Sequence, residues 1–433
     1  MKKRSIFVPT MEYNTYTFDN GLRVIHLPSD ADVVYCGYQI AAGARHEGRG
    51  EEGLAHFCEH VTFKGTERRN PIKIINELER VGGDVNAFTN KEDTVYYAAV
   101  LREHLPRAID LLTDIVFHST YPQEEIDKEV EVICDEIESY SDSPAELIYD
   151  DFENLVFRGH PLGHNILGTA EGVRRFTTAD ALRFTGKYYR PGNAVLFVYG
   201  GKGIDSRTRK LLGGIPAENP YRDAQAPPPT GNPERGGGKG MPEDCGTCDA
   251  ARRVYRRHLS THQAHVMVGN LAYSAGDPRR WPLYLLNNII GGPGMNARLN
   301  IVMRERHGLV YTVESSMAAY GDTGIWCVYF GCDAADVSKC LGMVRRELGR
   351  FAARPLSQAR LAAAKKQLKG QLGVAADNRE SFALGFGKTF LHCGRARGLV
   401  ETYRRIDDVT PDDIRQAAEE VFAPGSMTTL IYD

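Results

Sequence analysis

Residues 216–250 read PAENPYRDAQAPPPTGNPERGGGKGMPEDCGTCDA, with three consecutive prolines ahead of a glycine-rich run and no hydrophobic period. Such a stretch cannot bury enough apolar surface to fold by itself. It divides the 433 residues into 1–215 and 251–433, each long enough for a core of its own. Whatever the chain folds into must therefore be built from two bodies joined by a linker at 216–250.

The two bodies read alike. The first gives strands at GLRVIHLP and VVYCGYQIAAGA, helices over 53–63 and 72–81, strands at DVNAFT and TVYYAAVL, then helices over 105–118 and 123–140. The second gives RRVYRRHLS and AHVMVGNLAY, a helix over 281–290, strands at GLVYTVESSMA and GIWCVYFGC, then helices over 335–352 and 357–376. A repeated order of elements is the mark of an internal duplication. Strands followed by helical runs, without strict alternation, predict an α+β class: two homologous halves, each a mostly antiparallel sheet with helices packed on it.

One cluster breaks the symmetry. GLAHFCEHVTFKGT places His56 and His60 four residues apart with Glu59 beside the second. On a helix, residues four apart share a face about 6 Å apart, so both imidazoles can reach one ion. Leu54, Phe57, Cys58 and Val61 supply apolar neighbours, so the helix is expected to pack inside the protein, where unpaired charge is costly. With Gly65 laid on Gly292, the second half offers Leu283, Leu286 and Asn287 instead. Chance alone also produces this spacing, and two histidines leave a catalytic zinc short of its usual three protein ligands. The third is sought in EEIDKEVEVICDEIESY, where Glu129 and Glu136 lie seven apart on one face with Val132 and Ile133 near it. The same run also fits a solvated helix face. The residues alone leave both readings open.

At this point the sequence resembles the pitrilysin/insulysin/mitochondrial-processing-peptidase family of inverted-motif zinc metallopeptidases, in its short bacterial form. The family's H-x-x-E-H is followed by a glutamate about 76 residues after the second histidine, and here that residue is Glu136. GGDVNAFTNKEDTVYY, HPLGHNILG, YYRPGNAVLFVYGG, NNIIGGPGMNARL and MRERHGLVYTVESS extend the resemblance over nearly the whole chain. It implies one zinc per chain on His56, His60 and Glu136, with Glu59 as general base and Glu129 supporting the ligands. Arg304 and Tyr311, in RERHGLVY, would serve the reaction as donors to the oxyanion. Asn86, Ala87, Phe88 and Thr89 would form an edge strand that binds extended peptides.

The resemblance further implies a zinc-dependent endopeptidase acting on unstructured peptides. Each chain would supply half of a clamshell chamber, closed by a homodimer. The alternative is a non-catalytic or partner-dependent subunit of a processing-peptidase-like assembly. Such subunits lose the motif or the distal glutamate, and this chain keeps both. A purely structural zinc site would need a fourth protein ligand, which nothing at suitable spacing offers.

The chain departs from the family at Cys58, a thiol close enough to the motif to suggest sensitivity to thiol reagents. His160 and His164 fall in a turn and are expected to be ordinary turn histidines. Nine cysteines, odd in number, suit a reducing compartment, and the C-x-x-C of Cys245 and Cys248 lacks the second pair a zinc ribbon would need. A net charge of −3 gives no reason to expect nucleic acid. MKKRSIFVP carries too short an apolar run for a signal peptide, and no stretch is long enough to span a membrane. The expectation is a cytoplasmic chain with no membrane partner.

Overall fold

A computed structural model describes residues 12–218, 247–249, 253–259 and 261–433. Most of the 216–250 linker, Cys245 and the side chain of Cys248 lie outside the described residues.

The class is α+β, with two six-stranded sheets. The first contains β1 (Asn14–Thr17), β2 (Arg23–Leu27), β3 (Val33–Ile40), β4 (Asp84–Thr89), β5 (Thr94–Leu101) and β6 (Ala194–Tyr199), in the order β1-β2-β6-β3-β5-β4. The second contains β7 (Thr247–Asp249), β8 (Val254–Arg257), β9 (Ala264–Ala272), β10 (Val310–Ala319), β11 (Gly324–Cys332) and β12 (Thr428–Tyr432), in the order β10-β11-β9-β12-β8-β7. Adding six to each strand number of the first sheet reproduces the second. The one parallel pairing also recurs, β2 with β6 and β8 with β12, and every other pairing is antiparallel. Identical order, sense and helix placement bear out the duplication.

Compactness divides the chain differently from the contiguous halves expected. The first unit takes the described residues of 1–139, 164–230 and 375–400; the second takes those of 140–163, 231–374 and 401–433. Two helices not foreseen in the sequence account for this. Pro144–Val156 lays Leu147, Ile148 and Phe152 on the second sheet, against Met267, Ile325, Leu430 and Tyr432. Arg379–Cys393 lays Ala383, Phe386 and Phe390 on the first, against Ile25, Val95, Val195 and Phe197.

Each sheet is thus covered on both faces, which is why AVLFVY and GIWCVYFGC read as continuous apolar runs instead of alternating. Gly387 lets the second of these helices approach: a Cβ there would sit 2.8 Å from the Phe197 ring. Among the described residues no helix is long and apolar enough to cross a membrane.

Candidate metal centre

The motif helix runs Leu54–Thr62 and is fixed at its start by backbone geometry and a buried acid. Gly53 has φ +95°, and a Cβ there would lie 2.6 Å from the Leu167 carbonyl, so only glycine fits. Glu47 reaches in with a fully buried carboxylate that accepts from Gly53 N at 3.0 Å and Ala55 N at 2.7 Å. Those amides are orphan donors of the helix's first turn, and a negative group there also suits the helix dipole. His164 Nε2 lies 2.9 Å from the same carboxylate. His164 therefore belongs to the structure of this cap, and His160, 3.2 Å from Asp322, is likewise a paired turn histidine of the second unit.

Leu54, Ala55, Phe57, Cys58 and Val61 enter the core, which leaves His56, Glu59 and His60 on the remaining face. Cys58 is fully buried, and burial pushes its thiol well above the usual range. It stays a protonated thiol, so the suggested sensitivity to thiol reagents has no support in this geometry.

The second contributor is the helix Gln123–Ser141, anchored in the same core by Ile126, Val130, Ile133 and Cys134. Val132 does not share the Glu129/Glu136 face as expected: it is 52% exposed, while Ile133 is buried. Three residues past Glu129 it falls short of a full turn and faces solvent, and the fourth position is the one that points inward. Glu136 Oε2 lies 3.2 Å from His60 Nε2 and 3.7 Å from His56 Nε2. Among the described residues, the group of three with ligand atoms all within 4.8 Å is His56, His60 and Glu136.

Their fit to zinc can be tested on these distances. Tetrahedral bonds of about 2.0–2.1 Å separate neighbouring donor atoms by roughly 3.3–3.4 Å, between the two separations seen. Two nitrogens and one carboxylate oxygen are a donor set that suits zinc and leaves a fourth position open. His60 Nδ1 faces Glu129 Oε1 at 3.0 Å, the carboxylate–histidine pairing that fixes the ring of a metal ligand. Lys64 holds the other oxygen of Glu129 at 2.5 Å. His56 is 6% exposed and turns Nε2 toward Glu136 Oε2, so a cation between them would take up the lone pair of this buried imidazole, whose Nδ1 has no partner among the described residues. The residues fit the metal.

The electrostatics agree. Burial, and then the neighbouring His60, lower His56 to about 4, which keeps it neutral as a ligand must be. Burial also works to lower His60, but the hydrogen bonds with Glu129 and Glu136 outweigh it and raise the group to about 9. Without metal, His60 therefore holds a proton between two carboxylates, and a cation there replaces that proton. The bond to His60, opposed by partial burial, holds Glu136 below the usual carboxylate range. Burial raises Glu59, partly countered by Thr89, whose hydroxyl donates to Glu59 Oε2 at 2.6 Å.

Thr89 ends β4, the edge strand of the first sheet, and among the described residues β4 pairs only with β5. Asn86, Ala87 and Phe88 lie on the same strand, and the Asn86 side chain accepts from Ala87 N at 2.8 Å. Arg304 and Tyr311 belong to the second unit. There the Arg304 guanidinium lies 5.7 Å from the centre of the Tyr311 ring, and Tyr311 is 77% exposed. The helix Arg280–Gly291 repeats the place of the motif helix. It carries buried Leu283 and Leu286, and Asn287 spends its amide on Ser315 and Trp326. The second half holds no counterpart of the cluster at these positions.

Glu47, Lys64 and the pairing of Thr89 with Glu59 were missed by sequence reasoning. Lys64 had a weak signal in its spacing of four from His60, although the helix ends at Thr62 and Lys64 follows its cap. Glu47 had none, because its role depends on a loop folding back.

Comparison with known proteins places the chain in a family. The family described as insulinase, peptidase family M16, matches residues 23–170, and the peptidase M16 inactive domain matches residues 175–368. A zinc protease of Streptomyces coelicolor, itself termed uncharacterized, is 33% identical over 96% of this chain and 88% of its own length. The zinc protease YmxG of Bacillus subtilis, likewise uncharacterized, is 30% identical over 96% and 97%. The mitochondrial-processing peptidase subunit beta of Bos taurus is 30% identical over 96% and 81%. The crystal structure of a protease from Helicobacter pylori shares the fold with a TM-score of 0.85 at 21% identity, over 98% of this chain and 99% of that one. With relatives aligned over nearly its whole length, the chain belongs to the insulinase family of peptidases, family M16.

Proposed function

We propose that this protein is a zinc-dependent endopeptidase that hydrolyses unstructured peptides. The observation that carries the reading is the convergence of His56, His60 and Glu136, with Glu59 on the same face and free of the ligand set. Zinc held there would lower the pKa of a water toward about 7 and polarise the scissile carbonyl.

The chain's own groups do the rest. Glu59, its Oε2 fixed by Thr89 and its pKa raised by burial, takes the proton of the attacking water and passes it to the leaving amine. Glu129 orients His60 through Nδ1. Arg304 and Tyr311 are assigned to the developing oxyanion by their place in the family's pattern. The edge of β4 takes the substrate as an added strand through main-chain bonds, a mode that would make the sequence preference loose.

We also assign a closed chamber made by two copies of the chain. Unstructured peptides of some tens of residues should be cleaved, and a compact native protein with no flexible segment should survive; brisk cleavage of the latter would overturn the chamber. Since one chain carries both the zinc cluster and Arg304/Tyr311, two identical chains suffice, and two-fold pairing is the commonest closed symmetry. Light scattering at micromolar concentration should give twice the chain mass of 48.1 kDa. An active species at the single-chain mass would rule out the dimer.

A further inference from the structure

Charge is spread unevenly in the second unit. From residue 337 to 371 the sequence carries nine lysines and arginines against one acid, Glu347, a net of +8 in a chain whose total is −3. These residues form the helices Val337–Ala353 and Gln358–Ala375 and the turn between them. A cleft of about 1220 Å³ opens where the two helices meet the 288–298 segment. Arg298, Arg350, Arg354 and Arg360 line it together with Phe351 and Leu356.

The single acid in the cleft is already engaged. The Glu347 side chain is 6% exposed and accepts from Arg298 Nε at 2.7 Å and Arg350 Nη1 at 2.6 Å. It fixes those two guanidiniums and leaves the cleft, by four cations against one anion, at +3. Arg354 and Arg360 are exposed and have no carboxylate partner among the described residues. The cleft floor is thus preorganised, while its rim presents unpaired forks.

We propose that this cleft binds an acidic segment of a peptide, with its carboxylates on Arg354 and Arg360 and its apolar side chains against Phe351 and Leu356. Guanidinium forks match carboxylates two bonds at a time. The volume exceeds the roughly 300–1,000 Å³ of small-molecule pockets and suits a stretch of several residues. Choosing a peptide over another polyanion rests on the peptidase reading.

The test uses the full-length Glu59→Gln chain, so that the probe is not consumed, and reads binding instead of turnover. A fluorescent peptide of alternating glutamate and leucine is titrated by anisotropy, beside the same peptide with glutamine for glutamate. The acidic peptide should bind at least about 10-fold tighter than its glutamine twin, and more weakly as salt rises. Adding Arg354→Ala and Arg360→Ala should remove that preference with zinc content and melting temperature unchanged. If that pair lowers the melting temperature, Arg354→Gln alone should still weaken the acidic peptide and leave the glutamine peptide unmoved. Equal binding of the two peptides, or undiminished binding by the arginine variants, overturns the proposal. Binding of tripolyphosphate through Arg354 and Arg360 with no preference for the acidic peptide also overturns it, in favour of a phosphate site. A parent chain that binds the acidic peptide through these arginines yet hydrolyses nothing would defeat the peptidase reading and leave the cleft standing.

Discussion

Glu59→Gln is expected to retain the parent's zinc and fold and to hydrolyse peptides about 10²–10⁴-fold more slowly, the usual contribution of a positioned general base. The amide keeps the size of the side chain and can still meet the Thr89 hydroxyl, so the 2.6 Å contact and the helix are not the casualties. What is lost is a group that accepts a proton. Because Glu59 is not among the three converging ligand atoms, metal content should stay at the parent's value. Single-turnover hydrolysis of an unstructured peptide, set beside zinc analysis of the same sample, separates the roles. A rate above a tenth of the parent's would remove Glu59 from the position of base.

Glu136→Gln is expected to do the reverse and empty the site. Its Oε2 lies near the Nε2 atoms of both imidazoles, and its carboxylate charge is the only one in the ligand set. An amide oxygen is a weaker donor and cannot balance the cation. The variant should lose most of its zinc on dialysis, and activity should fall with it. Glu129→Gln makes an instructive companion. It touches His60 through Nδ1 only, so the metal should weaken by about 10–100-fold without vanishing. Full zinc retention by Glu136→Gln would mean that the third ligand lies elsewhere.

The sequence carried the fold class and, of the site, the helix face that holds the motif. Spacing alone put His56, Glu59 and His60 on one face, because an α-helix is rigid enough for four residues to mean one turn. The distance from His60 to Glu136 carried no such local rule, and only the family's pattern, with the fold behind it, brought the two helices together. Apart from β1, which was not read, the strands and α-helices up to residue 140 were read close to their bounds from their hydrophobic periods. Pro144–Val156 and Arg379–Cys393 were missed, and with them the units' true composition. Both follow a clear helix and a polar turn, and each leaves the sheet of its own half to cover the other, a long-range pairing that no local period records. Val132 shows the same limit on a smaller scale. Its apolar character suggested an inward face, yet its position on the helix leaves it half in water.

The Glu47 cap is a third instance: a carboxylate in the loop before the motif, invisible to periodicity, satisfies the amides of Gly53 and Ala55 and so sets the direction of the helix that carries both histidines. Sequence reasoning singled out the residues that converge in the cluster and passed over the one that aims their helix.

The most direct measurement follows zinc per chain and peptide hydrolysis together as the metal is stripped by a chelator and then restored. About one zinc per chain is expected at the start, with activity that falls in proportion to metal removed and recovers on adding one equivalent back to the parent but not to Glu136→Gln. Hydrolysis that persists at full rate in protein freed of zinc would contradict a zinc-dependent reaction.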